Sequence, residues 1–166
     1  MSAGVTRNFR SLETLGLSSE DLMHELGDLA RRIIRTRTEA GIAVDGSAFV
    51  PLSDGYAMHK QRALGHQRAD LTVSGRMLND MGIVELTPDR VTLGFHSRGG
   101  KASGGTFVQR SRAVGAADKA NWHQIEGAGK SKVKRPFFDL SPAEEAELTA
   151  VVQTHLAQTL ESIGLG

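Results

Sequence analysis

Glycine and positive charge are concentrated in one stretch of this chain, and that stretch cannot supply a core. Eight glycines fall within residues 94–129. Residues 97–138 carry nine Lys and Arg, opposed only by Asp118 and Glu126, a net of +7. Gly99-Gly100 and Gly104-Gly105 frame a run too polar and too glycine-rich to bury itself. Residues 97–112 therefore read as a flexible basic loop, and the fold must be built from the segments on either side. Residues 1–96 net −1, and residues 139–166 carry five acids with no Lys or Arg. The whole-chain charge of +1 hides this polarity and excludes a globally basic nucleic-acid binder. At 166 residues the chain reads as a single domain, with residues 1–17 as an N-terminal arm.

Both flanks show regular periods. Ser18 is placed to cap a first helix, with Asp21 three residues on in the capping-box position. Leu22, Leu26, Leu29, Ile33 and Ile34 then recur at helical spacing. Arg31, Arg32, Arg35 and Arg37 fall late in that helix, where they complement its dipole, and Gly41 ends it. Asp45-Gly46 marks a turn. Ser53 or Asp54 opens a second helix towards Leu64-Gly65. Ser74 is placed to cap a short third one holding Met77, Leu78 and Met81.

A hairpin follows, with Pro88-Asp89 between two alternating runs. Alternation puts Val84 and Leu86 on one face, and Val91, Leu93 and Phe95 on one face of the partner strand. Residues 113–124 read as a helix. Residues 135–140 read as a short strand or an extended lead-in. Ser141-Pro142-Ala143-Glu144 is a strong helix start, with Pro142 at the first helical position. The C-terminal helix, residues 141–163, carries Leu148, Val151, Val152, Leu156 and Leu160 as a buried stripe. The fold class is α+β: a small antiparallel sheet with a hairpin, packed by a long N-terminal helix and a C-terminal amphipathic helix.

Several chemistries are disfavoured by composition and spacing. With no cysteine, disulfide scaffolds, thiol nucleophiles and Cys-ligated zinc are excluded. No apolar run is long enough for a transmembrane helix, and residues 1–16 lack the apolar region of a signal peptide, so no membrane partner is expected. Gly129-Lys130-Ser131 resembles the end of a phosphate-binding loop. The glycine that loop needs five positions earlier is Gln124, and Pro136 opposes a following helix. The six histidines, His24, His59, His66, His96, His123 and His155, show no metal-binding spacing. No nucleophile elbow is present. Glu144, Glu145 and Glu147 sit where a helix dipole favours acids without any catalytic need. No catalytic residue, cofactor or metal is expected, and the chain does not read as an enzyme.

The basic segment is the strongest physical clue. Arg98, Lys101, Arg110, Arg112, Lys130, Lys132 and Lys134 are the candidates for contact with phosphates or with an acidic protein surface. Aromatic interleaving is poor, which argues against single-strand stacking. The acidic C-terminal helix supplies the opposite charge. In a ring of identical subunits, the basic segment of one could face the acidic helix of the next.

Three blocks of residues, in order, resemble the virion-morphogenesis, or tail-completion, family of long-tailed phages. The first is Asp45-Gly46-Ser47-Ala48-Phe49-Val50-Pro51-Leu52-Ser53, followed by Tyr56 and Lys60. Phe49 stands where the family usually has Trp. The second is Leu71-Thr72-Val73-Ser74-Gly75-Arg76-Met77-Leu78. The third is His123-Gln124, Gly127, then Arg135-Pro136-Phe137-Phe138-Asp139-Leu140-Ser141. Physically, Pro51 and Ser53 set up the next helix, and Phe49, Leu52 and Tyr56 can staple its start to the core. Gly75 permits close backbone approach. Pro136 keeps Arg135 out of a helix, and Phe137-Phe138 project to opposite sides of an extended segment, one ring inward and one towards a partner.

The resemblance implies a structural protein of the phage head–tail connection, in the virion and assembled in the host cytoplasm. It implies a hexameric ring that completes the tail end and joins it to the DNA-filled head. Its partners would be neighbouring neck, connector and tail-tube proteins, with non-specific contact to DNA in the lumen. The alternatives are a head-side adaptor or stopper, a tail terminator or, in a different class, a nucleic-acid-binding module using the basic loop.

Overall fold

The computed structural model describes residues 5–8, 19–72, 75–96, 115–129 and 132–162. The expected basic loop, residues 97–112, lies outside them.

The chain runs β1 (Val5–Asn8), α1 (Glu20–Glu39), α2 (Asp54–Leu64), α3 (Arg76–Asn79), β2 (Met81–Thr87), β3 (Arg90–Phe95), α4 (Ala116–Asn121), a π-turn (Trp122–Glu126) and α5 (Pro142–Ser162). The class is α+β, as the periodicities imply. One antiparallel sheet has the order β1-β3-β2. Helix α1 lies across β2 and β3, and α5 packs on α1.

The hairpin forms where alternation puts it, but the sheet gains a third strand. Val5–Asn8, inside the expected N-terminal arm, pairs with β3 from Val5↔Leu93 to Asn8↔Arg90. Four residues hold too little alternation to be read as a strand, and the edge they pair with lies more than eighty residues away in sequence. The pairing makes β3 central, so Val91, Leu93 and Phe95 are all buried. The expected shared face of Val84 and Leu86 does not form. Ile83 pairs with Leu93 and Glu85 with Thr92, so Val84 is a bulge residue. One extra residue reverses the parity of everything after it. Leu86 therefore joins Ile83 against the core, while Val84 is 48% exposed.

Helix α1 is capped by Ser19, whose Oγ accepts from Leu22 N at 3.1 Å. The cap expected at Ser18 is shifted by one, because a cap hydroxyl bonds the third helical N–H and here that belongs to Leu22. Leu22, Met23, Leu26, Ala30 and Ile34 form the buried face, with Leu29 and Ile33 at its margin. Gly27 sits on that face where a Cβ would meet Ile83 and Val91 methyls at 2.7 Å. Its missing side chain lets α1 lie close against the sheet.

Three local expectations are corrected. Helix α3 is led by Gly75 at φ +67°, so a left-handed backbone, not close approach, is what this position requires; Ser74 lies outside the described residues. Met81 starts β2 instead of extending α3, with Asp80 as the helix C-cap. The helix expected over residues 113–124 is α4 only from Ala116 to Asn121. Beyond it the backbone widens into the π-turn and stops at Gly127.

Helix α5 starts as its motif requires. Glu144 N donates to Ser141 Oγ at 3.4 Å, and Ser141 N donates to a Glu144 carboxylate oxygen at 2.7 Å. Its apolar stripe is less buried than expected. Leu148 is buried, Val151 and Val152 pack at the edge of the core, and Leu156 and Leu160 are half-buried. Among the described elements α5 packs extensively only on α1.

Candidate assembly site

The residues of the first and third sequence blocks, some eighty positions apart, meet in one polar clamp. Arg135 is buried, and its guanidinium holds the backbone of the first block. Nε donates to the Val50 carbonyl at 2.9 Å, and a terminal nitrogen donates to the Pro51 carbonyl at 3.0 Å. Val44 N donates to the Pro136 carbonyl at 3.2 Å, adding a backbone link between the blocks. Pro136 itself is exposed; it keeps Arg135 in the extended backbone this reach needs. Burial lowers the Arg135 pKa, while the nearby Tyr56 phenol opposes that shift.

Gln124 closes the clamp from the other side. Its side-chain oxygen accepts from both Phe137 N and Phe138 N at 3.0 Å. These two N–H groups have no strand partner, so one carboxamide satisfies a backbone that would otherwise be buried unpaired. Phe137 and Phe138 are 0% and 3% exposed. Both rings pack on Phe95, with centroids 6.3 and 4.9 Å away. The expectation that one ring would face a partner is corrected. The segment is not a flat strand, and the bend after it turns Phe138 back into the core.

Arg37 reaches the same segment from the end of α1. It donates to the Phe137 and Asp139 carbonyls at 2.6 and 2.7 Å and pairs with Glu144. From sequence it reads as a dipole-complementing charge. Its structural role depends on a partner 107 positions away, which no local pattern reveals.

Lys60 is the only buried residue of α2, at 1% exposure. It is ion-paired with Asp70 and donates to the Arg68 carbonyl at 2.6 Å. Burial would raise the Asp70 carboxyl, but hydrogen bonds from Lys60 and Thr72 hold it below its ordinary value. The pair fastens α2, which packs extensively on no other helix or strand among the described residues. Phe49 is buried and Leu52 is half-buried, but Tyr56 is 46% exposed and stacks on His59. The Tyr56 staple expected from sequence is therefore absent, because the buried ammonium occupies the inward face of α2. A groove of about 440 Å³ beside α2 is lined by Gly41, Phe49, Pro51, Leu52, Ala57 and Arg68, among others.

His123 is partly buried behind Arg135. Burial first, and the Arg135 charge second, push its pKa down to about 4. Its buried Nδ1 makes no hydrogen bond among the described residues, while its backbone carbonyl accepts from Arg135 N at 2.8 Å. The linkage has a definite sign. Below the ordinary histidine pKa the unfolded chain binds a proton that the folded chain refuses down to about 4. The stability tied to the neutral ring is complete above about pH 6.5 and falls away towards pH 4, by a total on the order of 2–3 kcal/mol. His123→Gln should flatten this acid limb in urea titrations between about pH 7 and about pH 4.5. An unchanged acid limb would assign it to other groups.

Of the basic candidates, only Lys132 and Lys134 fall within the described residues, and both are exposed. Arg98, Lys101, Arg110, Arg112 and Lys130 lie outside them. The described residues contain no group of three or more His, Asp or Glu able to hold a metal, and no helix long and apolar enough to cross a membrane. What sequence reasoning missed is the exposed apolar pair on the π-turn, Trp122 at 39% and Ile125 at 48%. A helical reading of this segment gives no sign of the wider turn that carries them.

The geometry is that of a small α+β scaffold whose motif residues are spent on joining distant segments. A sequence model of the phage virion morphogenesis family matches residues 2–157, so the chain belongs to that family. It is accordingly a phage protein with a role in virion structure and assembly. No curated protein and no solved structure is found to match the chain.

Proposed function

We propose that this chain is a non-enzymatic structural component of the head–tail connection, completing the tail end and joining it to the DNA-filled head as a ring of identical subunits. The observation that carries the reading is the family match over nearly the whole chain. The clamp supports a structural role, because Phe49, Lys60, Gln124, Arg135, Phe137 and Phe138 are engaged in packing and hydrogen bonding. A ring needs one surface of a subunit to meet a different surface of the next. Exposed apolar residues on α2 and the π-turn, and the half-covered α5, offer such surfaces.

The basic run is assigned to the lumen, where DNA passes by weak, sequence-independent contact. Substituting Arg98, Lys101, Arg110 and Arg112 together by Glu should lower infectivity at least about tenfold while leaving the folded chain intact by circular dichroism. A wild-type titre from that variant would sink the DNA-channel assignment.

A further inference from the structure

The π-turn is tied to the returning segment by a few hydrogen bonds that converge on His123. The His123 carbonyl accepts from Arg135 N at 2.8 Å. The next residue, Gln124, holds Phe137 N and Phe138 N at 3.0 Å. Ala128 and Val133 exchange backbone hydrogen bonds where the chain turns back. Among the described elements the π-turn packs extensively only on α4.

The surroundings of the His123 ring oppose a proton. Nδ1 is buried and has no hydrogen-bond partner among the described residues. The charge that acts on the ring is the Arg135 guanidinium, itself buried and fixed on the Val50 and Pro51 carbonyls. Tyr56, on the first block, opposes the shift of Arg135 and not that of the ring. On α4, Asp118 accepts from Gly115 N at 3.4 Å, and on the turn Glu126 accepts from Asn121 at 2.6 Å. Neither carboxylate acts on the ring, and Lys119, Lys132 and Lys134 could add only positive charge. An imidazolium here would be a second cation beside the first, with no acid to offset the pair.

We infer that the clamp is an acid-opened joint, in which protonation of His123 lifts the π-turn off residues 133–138 while α1, the sheet and the returning segment stay in place. The returning segment has its own anchors. Arg37 holds the Phe137 and Asp139 carbonyls, and both phenylalanine rings pack on Phe95. The buried face of α1 meets β2 and β3 without the turn. Opening therefore costs the turn's own few bonds and not the core, which is the pattern of a local unfolding unit. The sign follows from the ring. The open turn takes its proton at the ordinary histidine value, and the closed one only near pH 4. Acid therefore favours the open form, and the arrangement that displays Trp122 and Ile125 belongs to neutral pH. Nothing in this joint depends on the head–tail role.

Native-state hydrogen exchange by NMR on the full chain reads these bonds directly. Protection of the Arg135, Phe137 and Phe138 amides, corrected for the intrinsic pH dependence of exchange, should fall about thirtyfold from about pH 7.5 to about pH 5. It should lie below the protection of α1 and β3 throughout and respond little to low urea, the mark of a local opening. The His123 ring protons should report the same transition. His123→Gln and His123→Phe, which take up no proton there, should abolish the fall. Gln keeps the polarity of the ring and Phe its bulk, so a packing defect in one leaves the other to decide.

Clamp amides that exchange only together with the core would overturn the joint. So would a fall of equal size in both variants, or a ring that takes up its proton while protection in the parent stays flat.

Discussion

Lys60→Ala should destabilise the fold by about 3–5 kcal/mol, because it leaves the Asp70 carboxylate buried without its counter-charge. Asp70 would keep the Thr72 N–H at 2.9 Å but lose the ammonium that offsets its burial. Helix α2 has no other buried residue. At 11 residues it is too short to be stable alone, so it should unravel with the pair. Urea titration would show a lowered midpoint. Lys60→Met with Asp70→Leu should recover much of the loss, since replacing both charges removes the uncompensated one. A Lys60→Ala variant within about 1 kcal/mol of the parent would mean that the ion pair does not hold α2.

Gly127→Ala should cost about 3 kcal/mol or more. Gly127 sits at φ +85°, and a Cβ there would lie 2.1 Å from the Lys132 carbonyl oxygen. Backbone cannot swing aside as a flexible side chain can. The returning segment would have to move, loosening the Ala128–Val133 bridge and the Arg135 N–His123 link that set the clamp. Gly129→Ala is the control. Its φ is +72°, but no heavy atom lies within 4 Å of the added carbon, so only the left-handed backbone cost of about 1–2 kcal/mol applies. Thermal or urea unfolding of both should separate crowding from backbone preference. Equal losses would show that the contact with Lys132 relaxes freely.

What could be read from sequence is what has a local cause. The Ser141–Glu144 capping box, the apolar face of α1 and the burial of Val91, Leu93 and Phe95 follow from spacing alone. The departures arise where a distant partner or a single irregular residue decides. The bulge at Val84 reverses a face that perfect alternation would have kept. Strand β1 exists because β3 offers an unpaired edge. Phe138 turns inward because Gln124 holds the backbone at that bend.

The clamp was legible only in part. Lys60, Gln124 and Arg135 stood out within the family-like blocks, but their partners did not. Asp70, the Val50 and Pro51 carbonyls and the Phe137–Phe138 amides carry no signature of their own. Arg37 is the clearest omission, since a basic residue late in a helix already has a sufficient local explanation. A regular helix over residues 113–124 gives no sign of the wider turn that exposes Trp122 and, just past it, Ile125.

A role in joining tail to head is decided by electron microscopy of a lysate in which this gene carries a nonsense codon. DNA-filled heads beside unattached tails are the expected result. Intact, joined particles would contradict that role.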